Sequence, residues 1–296
     1  MFVTTAVMNN VSRASESLHI SQPALSRALQ ELELQLGVKL LERSTRQMSL
    51  THEGQHFLPV AQRLLRDMTE ATEGLRERSR GLTGSVTVAV GTAFGSVVLP
   101  AVLTAFSASH PGVRVRLVDD NSAGITSRVA GAEVDLGIGS PVGDTSALEC
   151  TLLLTAALGL LGDAGRFALS PSMRRRDLTT LPLLNEPADT SILQVLRSRG
   201  SDLVAQMGRG TEVSSLSLQL ALAQAGVGVA VLSALGASHP QASGLRFVPI
   251  RPALKREVFL ISRRDRPVSP SVRAFTEALA AGLPLIRFHA GVRLAR

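Results

Sequence analysis

A chain of 296 residues, 45% of them hydrophobic, has the apolar material for one small domain plus a larger one, or for three modest lobes. A single cysteine (Cys150) excludes an intrachain disulfide, no apolar run reaches membrane-spanning length, and no basic-then-apolar leader opens the chain, so a cytoplasmic protein without membrane contact is expected. The net charge of +7 suggests a polyanionic partner, and the absence of Trp and Tyr argues against stacking on single-stranded nucleic acid.

The first predicted unit is residues 11–51, VSRASESLHISQPALSRALQELELQLGVKLLERSTRQMSLT. Asn10 is placed to cap a first helix, with Ala14 and Leu18 four apart on one face. His19-Ile20 leaves room only for a turn. Ser21 caps a second helix, and Pro23 falls in its first turn, where a missing N–H is harmless. Ala24, Leu25, Ala28, Leu29, Leu32 and Leu36 recur at helical spacing, and Gly37 supplies the stop. Gln22, Ser26, Arg27 and Gln30 lie off that apolar face near the N-terminal end, where a recognition helix meets base edges. Gln pairs with adenine and Arg with guanine in the major groove. Caps, turn length and polar face together favour a DNA-reading unit over an ordinary helical hairpin.

The segment LHISQPALSRALQELELQLGVKLLERSTRQMSLTHEG resembles the DNA-binding signature of LysR-type transcriptional regulators, densely over about residues 2–80 and more loosely through most of the remainder. The resemblance implies a winged helix-turn-helix over 1–51 and a dimerisation linker helix with its hinge over 52–85. It also implies an α/β effector domain similar to periplasmic binding proteins of the two-crossover type (type II). Family members carry several residues before the segment matching Phe2-Val3, so the first helix is expected to be shortened. Ser15 replaces one of a usual Ala pair. Arg43 and Arg46 on the wing, with Arg13 and Arg27 on the helices, are the expected phosphate or minor-groove contacts, and Pro23 belongs to the same interface. Bulk charge does not carry this reading, because residues 1–85 hold ten basic and nine acidic side chains.

Thr51 is expected to cap a helix to about residue 80. Phe57, Ala61, Leu64, Met68, Ala71 and Leu75 alternate by four and three, the 3.5-residue period of a coiled-coil seam. Such a seam places two recognition helices on two half-sites of double-stranded DNA.

Gly81, Gly84 and Ser85 mark a hinge. Strands are predicted at 86–90, 113–119 and 134–139, with helices at 95–109 and 122–131. Further strands are predicted at 181–185, 212–213, 227–232 and 257–262, and helices at 190–200, 215–225 and 269–281. This alternation argues for parallel α/β layers. Lobe I is assigned to 86–161 plus 262–285, lobe II to 162–261, and a basic tail to 286–296. The stretch 251–296 carries ten basic residues against three acidic ones, read as a solvated face or an auxiliary DNA contact.

In open α/β sheets ligands sit beyond strand ends, beside helix N-termini. Thr92, Ala93, Phe94 and Ser96 follow the first strand of this region, and Ser140 and Pro141 follow VDLGIG. In lobe II, Thr190 and Ser191 open one helix and Ser214 and Ser215 another. These are the candidate effector contacts, although the same hydroxyls also serve as helix caps. Arg128 and Arg197 are candidate countercharges for a small organic acid, the effector class that the resemblance implies.

No catalytic residue, metal ligand or cofactor is expected. His52-Glu53-Gly54-Gln55-His56 matches HExxH, but it opens a helix straight after a hairpin, and Gly54 weakens that helix. Residues 225–230 (AGVGVA) lack the full GxGxxG and suit a helix-to-strand turn. The expected protein is a homodimeric or tetrameric regulator of promoter DNA, oligomerising through linker helix and effector domain, with RNA polymerase as a partner if it activates. The alternatives are a solute-binding protein or enzyme with an α/β cleft, or a shortened regulator impaired in DNA binding.

Overall fold

The computed structural model describes residues 1–43, 48–76, 82–171, 173–174, 178, 180–186, 191–199 and 210–295. The chain divides into two compact units, residues 1–76 and 77–296.

The first unit holds α1 (Phe2–Met8), α2 (Val11–Ser17), α3 (Gln22–Leu36), a hairpin of β1 (Leu41–Arg43) and β2 (Met48–Leu50), and α4 (His52–Arg76). Its boundaries follow the predicted caps. The Asn10 side chain accepts from Arg13 N–H, the Ser21 side chain accepts from Ala24 N–H, and Gly37 closes α3 at φ 71°. Ala14, Leu25, Leu29, Leu40 and Leu41 form the core, joined by Phe2, whose ring lies 5.5 Å from that of Phe57. Glu33 ties α3 to the hairpin, its carboxylate accepting from Leu40 N–H (2.9 Å) and Leu41 N–H (3.0 Å). Ser15 is buried, its hydroxyl donating to the Ser12 carbonyl (2.8 Å).

The heptad seam of α4 divides. Phe57 and Ala61 pack on the unit's own core, whereas Leu64 and Met68 are 56% and 69% exposed. The side chains of Ala71 and Leu75 lie outside the described residues.

In the second unit, β3 (Gly84–Val90), α5 (Thr92–Val97), α6 (Leu99–Ser109), β4 (Val113–Asp119), α7 (Ser122–Ala130) and β5 (Leu136–Gly139) follow the predicted alternation. The single helix predicted at 95–109 is broken at Val98, where Pro100 starts a new helix and has no N–H to continue the old one. Next come β6 (Leu148–Gly162), β7 (Met173–Arg174), β8 (Leu183–Asn185), α8 (Ser191–Arg199), β9 (Thr211–Glu212), α9 (Leu216–Gln224) and β10 (Val229–Ser233). The chain ends through β11 (Arg246–Arg251), β12 (Lys255–Arg263), α10 (Pro270–Gly282) and β13 (Val292–Leu294).

The lobe I sheet runs β4-β3-β5-β12-β6-β13, with β3 parallel to β4 and β5, and β12 antiparallel to β5 and β6. Its core lies between that sheet and α5, α6 and α10, through Val86, Val88, Phe94, Val102, Phe106 and Phe275. Lobe II runs β7-β11-β6-β10-β8-β9 around Leu160, Leu184, Leu196, Leu220 and Val231.

Two boundaries differ from expectation. Residues 257–261, assigned to lobe II, belong to β12 in the lobe I sheet. The reason is that β6 is long enough to serve both sheets, pairing with β12 through residue 157 and with β10 and β11 from residue 158 on. The basic tail is in part a strand. β13 pairs with β6, and Ile286, Phe288, Val292 and Leu294 pack on the lobe I core while Arg287 and Arg293 face outward.

Candidate functional site

Two surfaces carry the candidate residues, one on each unit. On the first, α3 buries Leu25 and Leu29 and so turns Gln22, Pro23, Arg27 and Gln30 to the exterior, with Ser26 half-buried between them. Gln22 Nε2 donates to Ser12 Oγ of α2, which links the two helices at the head of this face. Arg13 is exposed on α2. Arg46 and the side chain of Arg43 lie outside the described residues. A polar, solvated helix face bearing Gln and Arg, on a helix held by caps at both ends, has the chemistry for base-edge readout.

The HExxH match falls on the start of α4. His52 and His56 are exposed with their rings 4.5 Å apart, and among the described residues no group of three or more potential metal ligands occurs. Gly54 has a structural reason instead, since a Cβ there would stand 2.0 Å from the Leu40 carbonyl oxygen. Residues 225–230 form the turn from α9 into β10, with Gly226 at φ 70°.

On the second unit, a cavity of about 140 Å³ opens between the lobes. One wall is Gly91, Thr92 and Ala93 at the end of β3, with Asp120, Asn121 and Ser122 at the end of β4. The other is Glu186, Ile192, Ser214, Leu216, Leu232, Ser233 and Gly236, and Arg256 of β12 completes it. Local chemistry fixes each wall. Thr92 Oγ1 donates to the Asp119 carboxylate (2.9 Å), and Asn121 caps α7 by accepting from Gly124 N–H (2.8 Å). Gln219, fully buried, donates to the Leu184 carbonyl (2.8 Å) and so ties α9 to β8.

Of the candidates from sequence, Thr92, Ala93 and Ser214 line this cavity. Ser140 reaches it through Arg256, accepting from Arg256 Nε (3.1 Å) while its own hydroxyl donates to the Glu257 carbonyl. Phe94 is turned into the lobe I core, and Ser96 and Pro141 are half-buried away from the lining. Ser215 is a cap, accepting from Leu218 N–H (3.4 Å). Thr190 and the side chain of Ser191 lie outside the described residues.

Neither arginine suggested from sequence is among the residues that line the cavity. Arg128 is occupied by Asp120 (2.6 Å) and Glu133 (2.7 Å), and the hydrogen bond to Asp120 raises its pKa. Arg197 is exposed on α8 and does not line the cavity. Arg256 lines it instead. Burial pulls its guanidinium below the usual value, while the nearby Glu186 carboxylate opposes the shift. A legible signal exists: Arg256 sits two residues before the buried Val258, hence on the inward face of its strand. Ser233 was also missed. Its hydroxyl is 1% exposed, lines the cavity, and has no hydrogen-bond partner among the described residues.

Comparison with known proteins agrees with this architecture. Residues 1–55 match the model of the bacterial regulatory helix-turn-helix protein, lysR family, and residues 79–284 that of the LysR substrate binding domain. The SDS degradation transcriptional activation protein of Pseudomonas sp. is 30% identical over 285 residues, covering 92% of this chain and 91% of its own. A full-length OxyR variant from Pseudomonas aeruginosa superposes with a TM-score of 0.71 at 24% identity, covering 100% of this chain and 96% of that one. Full-length CbnR complexed with its target DNA gives 0.66 at 24% identity, covering 95% and 97%. With both family models matched, one on each unit, the chain belongs to the LysR family: it is a DNA-binding transcriptional regulator with a substrate-binding domain, and not an enzyme.

Proposed function

We propose that this regulator acts in the cytoplasm as a homo-oligomer on promoter DNA and changes its promoter binding when a small organic acid enters the interlobe cavity. The readout residues are Gln22, Ser26, Arg27 and Gln30, with Pro23 in the same helix turn. Arg13, Arg43 and Arg46 are the phosphate or minor-groove contacts. The exposed Leu64 and Met68 of α4 support pairing through the linker helix, and the effector domain is the second contact between protomers. RNA polymerase is a further partner where the protein activates.

The effector is held by Arg256, Thr92, Ala93 and Ser214, with Ser140 orienting the guanidinium. The observation that carries this reading is Arg256: a desolvated cation in a cavity gains most from an anion. An effector shifts DNA binding only through unequal affinity for two states of the protein. The test is a gel-shift titration of the full chain on its upstream intergenic DNA, with and without a panel of carboxylic acids, at two salt concentrations. A specific complex whose affinity changes with one of the acids supports the proposal. Equal affinity for upstream and random DNA overturns the promoter reading, and no response to any acid overturns the effector reading.

A further inference from the structure

Residues 286–295 join the two lobes at the point where β6 passes from one sheet to the other. Both ends of this segment are held by lobe I. Ile286, Phe288, Val292 and Leu294 pack on its core, β13 pairs with β6 at residues 154–156, and Ala295 N–H donates to the Leu153 carbonyl (2.9 Å). The middle reaches lobe II through a tight turn, in which Val292 N–H donates to the His289 carbonyl (2.9 Å). The His289 ring meets Phe247 of β11 edge-on, with centroids 4.8 Å apart, and Phe247 pairs with Leu161 in the lobe II sheet. His289 N–H donates to Ser238 Oγ (2.9 Å), and that hydroxyl donates on to the Ala234 carbonyl (2.8 Å). Gly291 lies on the crossover itself. Its carbonyl accepts from Ala157 N–H (2.9 Å), and a Cβ there would stand 2.7 Å from Ala234 Cβ and 3.3 Å from Ala157 Cβ. Residue 157 pairs with β12, and residue 158 is the first of β6 to pair with β10.

The residues that meet this segment also face the cavity. Ser233 and Gly236 line the cavity, whereas their neighbours Ala234 and Ser238 touch the segment from the other side. In a close-packed junction a shift of Ser233 carries Ala234 with it, and Ala234 bears on Gly291. The attachments are unequal. A strand ladder and four apolar side chains hold the segment to lobe I, but one hydrogen bond and one ring contact hold it to the lobe II side. Those two contacts correspond to about tenfold or more in the ratio of attached to released forms. That is enough to favour one lobe angle and little enough for a ligand's unequal affinity to overcome.

We infer that residues 286–295 are a strap that sets the angle between the lobes, with residues 233–238 relaying the cavity to it. The strap's hold does not depend on which ligand the cavity takes, so its failure and that of the proposed acid-binding cavity are separate results.

The test is double electron–electron resonance on the full chain without ligand. Spin labels are carried by Glu277→Cys in α10 and Ala221→Cys in α9, both exposed positions, in a Cys150→Ser background. Dilution with unlabelled chain confines the reading to distances within one protomer. His289→Ala removes the ring contact and Ser238→Ala the hydrogen bond. Each is expected to widen the distance distribution, and the double variant to shift its mean by about 2 Å or more. Gly291→Ala, which wedges the strap off the crossover, is expected to shift it as well. Arg293→Ala, on the outward face of β13, is expected to leave it unchanged. A distribution unaltered in both the double variant and Gly291→Ala overturns the strap. An equal shift from Arg293→Ala overturns it too, since the lobes would then respond to any loosening of the tail. Should the double variant fold poorly, Gly291→Ala and the two single variants decide the matter.

Discussion

Gly54→Ala separates two effects of opposite sign. Gly54 lies in the first turn of α4, where helix propensity alone favours Ala by about 1 kcal/mol. The packing opposes it. A Cβ at residue 54 would stand 2.0 Å from the Leu40 carbonyl oxygen, 2.9 Å from its carbon and 3.1 Å from Leu50 Cδ2, where ordinary contact begins at 3.4 Å. Helix and hairpin base would have to part by more than 1 Å, and the first obstruction is backbone, which has no rotamer to yield. The same junction holds Thr51 N–H on the Leu40 carbonyl (3.0 Å) and Thr51 Oγ1 on the Lys39 carbonyl (2.7 Å). Losing both bonds removes about 2 kcal/mol, and the residual overpacking adds about 1–3 kcal/mol. The steric terms win, with a net destabilisation of about 2–4 kcal/mol after the propensity gain. In urea, with a slope near 1 kcal/mol/M for so small a unit, the first transition of the full chain should move down by roughly 2 M or more. Specific DNA binding should fall in step, because the wing and α3 share this junction. An unchanged or raised midpoint refutes the steric argument.

Arg27→Ala should weaken operator binding by about 1–3 kcal/mol and relax specificity at one base pair, with a nearly unchanged salt slope, whereas Arg13→Ala should lower the slope by about one. Competition gel shifts at several salt concentrations check this, and equal losses on every sequence from Arg27→Ala would count against base readout. Burial raises the Cys150 thiol above its usual 9.0, with Arg264 opposing, so alkylation of the native protein at neutral pH should be slow. Peroxide should then leave DNA binding alike in wild type and Cys150→Ser, and a response lost only in the variant would refute this. His239 and His289 are both held below the ordinary 6.5 by burial, and each Nδ1 also accepts a backbone N–H, from Gln241 and Gly291. The unfolded chain therefore binds more protons as pH falls through 6.5, so stability should decline from pH 7 toward pH 5. His289→Gln should flatten that decline in melting temperature, and an unchanged slope would show that this histidine does not contribute.

What the sequence made legible was local. The helix-turn-helix is written in caps, a two-residue turn and an apolar face at helical spacing, all within one stretch of chain, and its elements begin and end where those signals stand. Strands covered on one or both sides by their own neighbouring helices, such as β3 and β4, were equally plain. Missing were elements whose partners lie far along the chain. The run at 152–161 has no alternation because β6 is buried over its second half, so periodicity identified it only as an apolar stretch. β13 was hidden by Arg293, although that residue alternates with the core-facing Val292 and Leu294. The α4 seam was read as one surface, yet its first turns pack on their own unit. Gly54, taken as a weakness of its helix, is required by the carbonyl it touches.

Two residues of the cavity lining, Arg256 and Ser233, have no local signature of a ligand contact in the sequence. Thr92 and Ser214, which also line it, follow strands, and such positions have a local signature. Arg256 reaches the cavity only through pairing with β6 at Ala156, a hundred residues earlier in the chain. That position adjoins the place where β6 passes from one sheet to the other. There Leu158 N–H donates to the Leu254 carbonyl (2.9 Å) and Ala234 N–H to the Ala157 carbonyl (2.7 Å). A change in the angle between lobes has to be absorbed in these few residues, since the sheets on either side are continuous and packed. Arg256 stands two residues from Leu254, and Ser233 is the neighbour of Ala234. A ligand touching both Arg256 and Ser233 would thus grip both lobes beside their shared strand, and the lobe angle is a degree of freedom that such a ligand can bias.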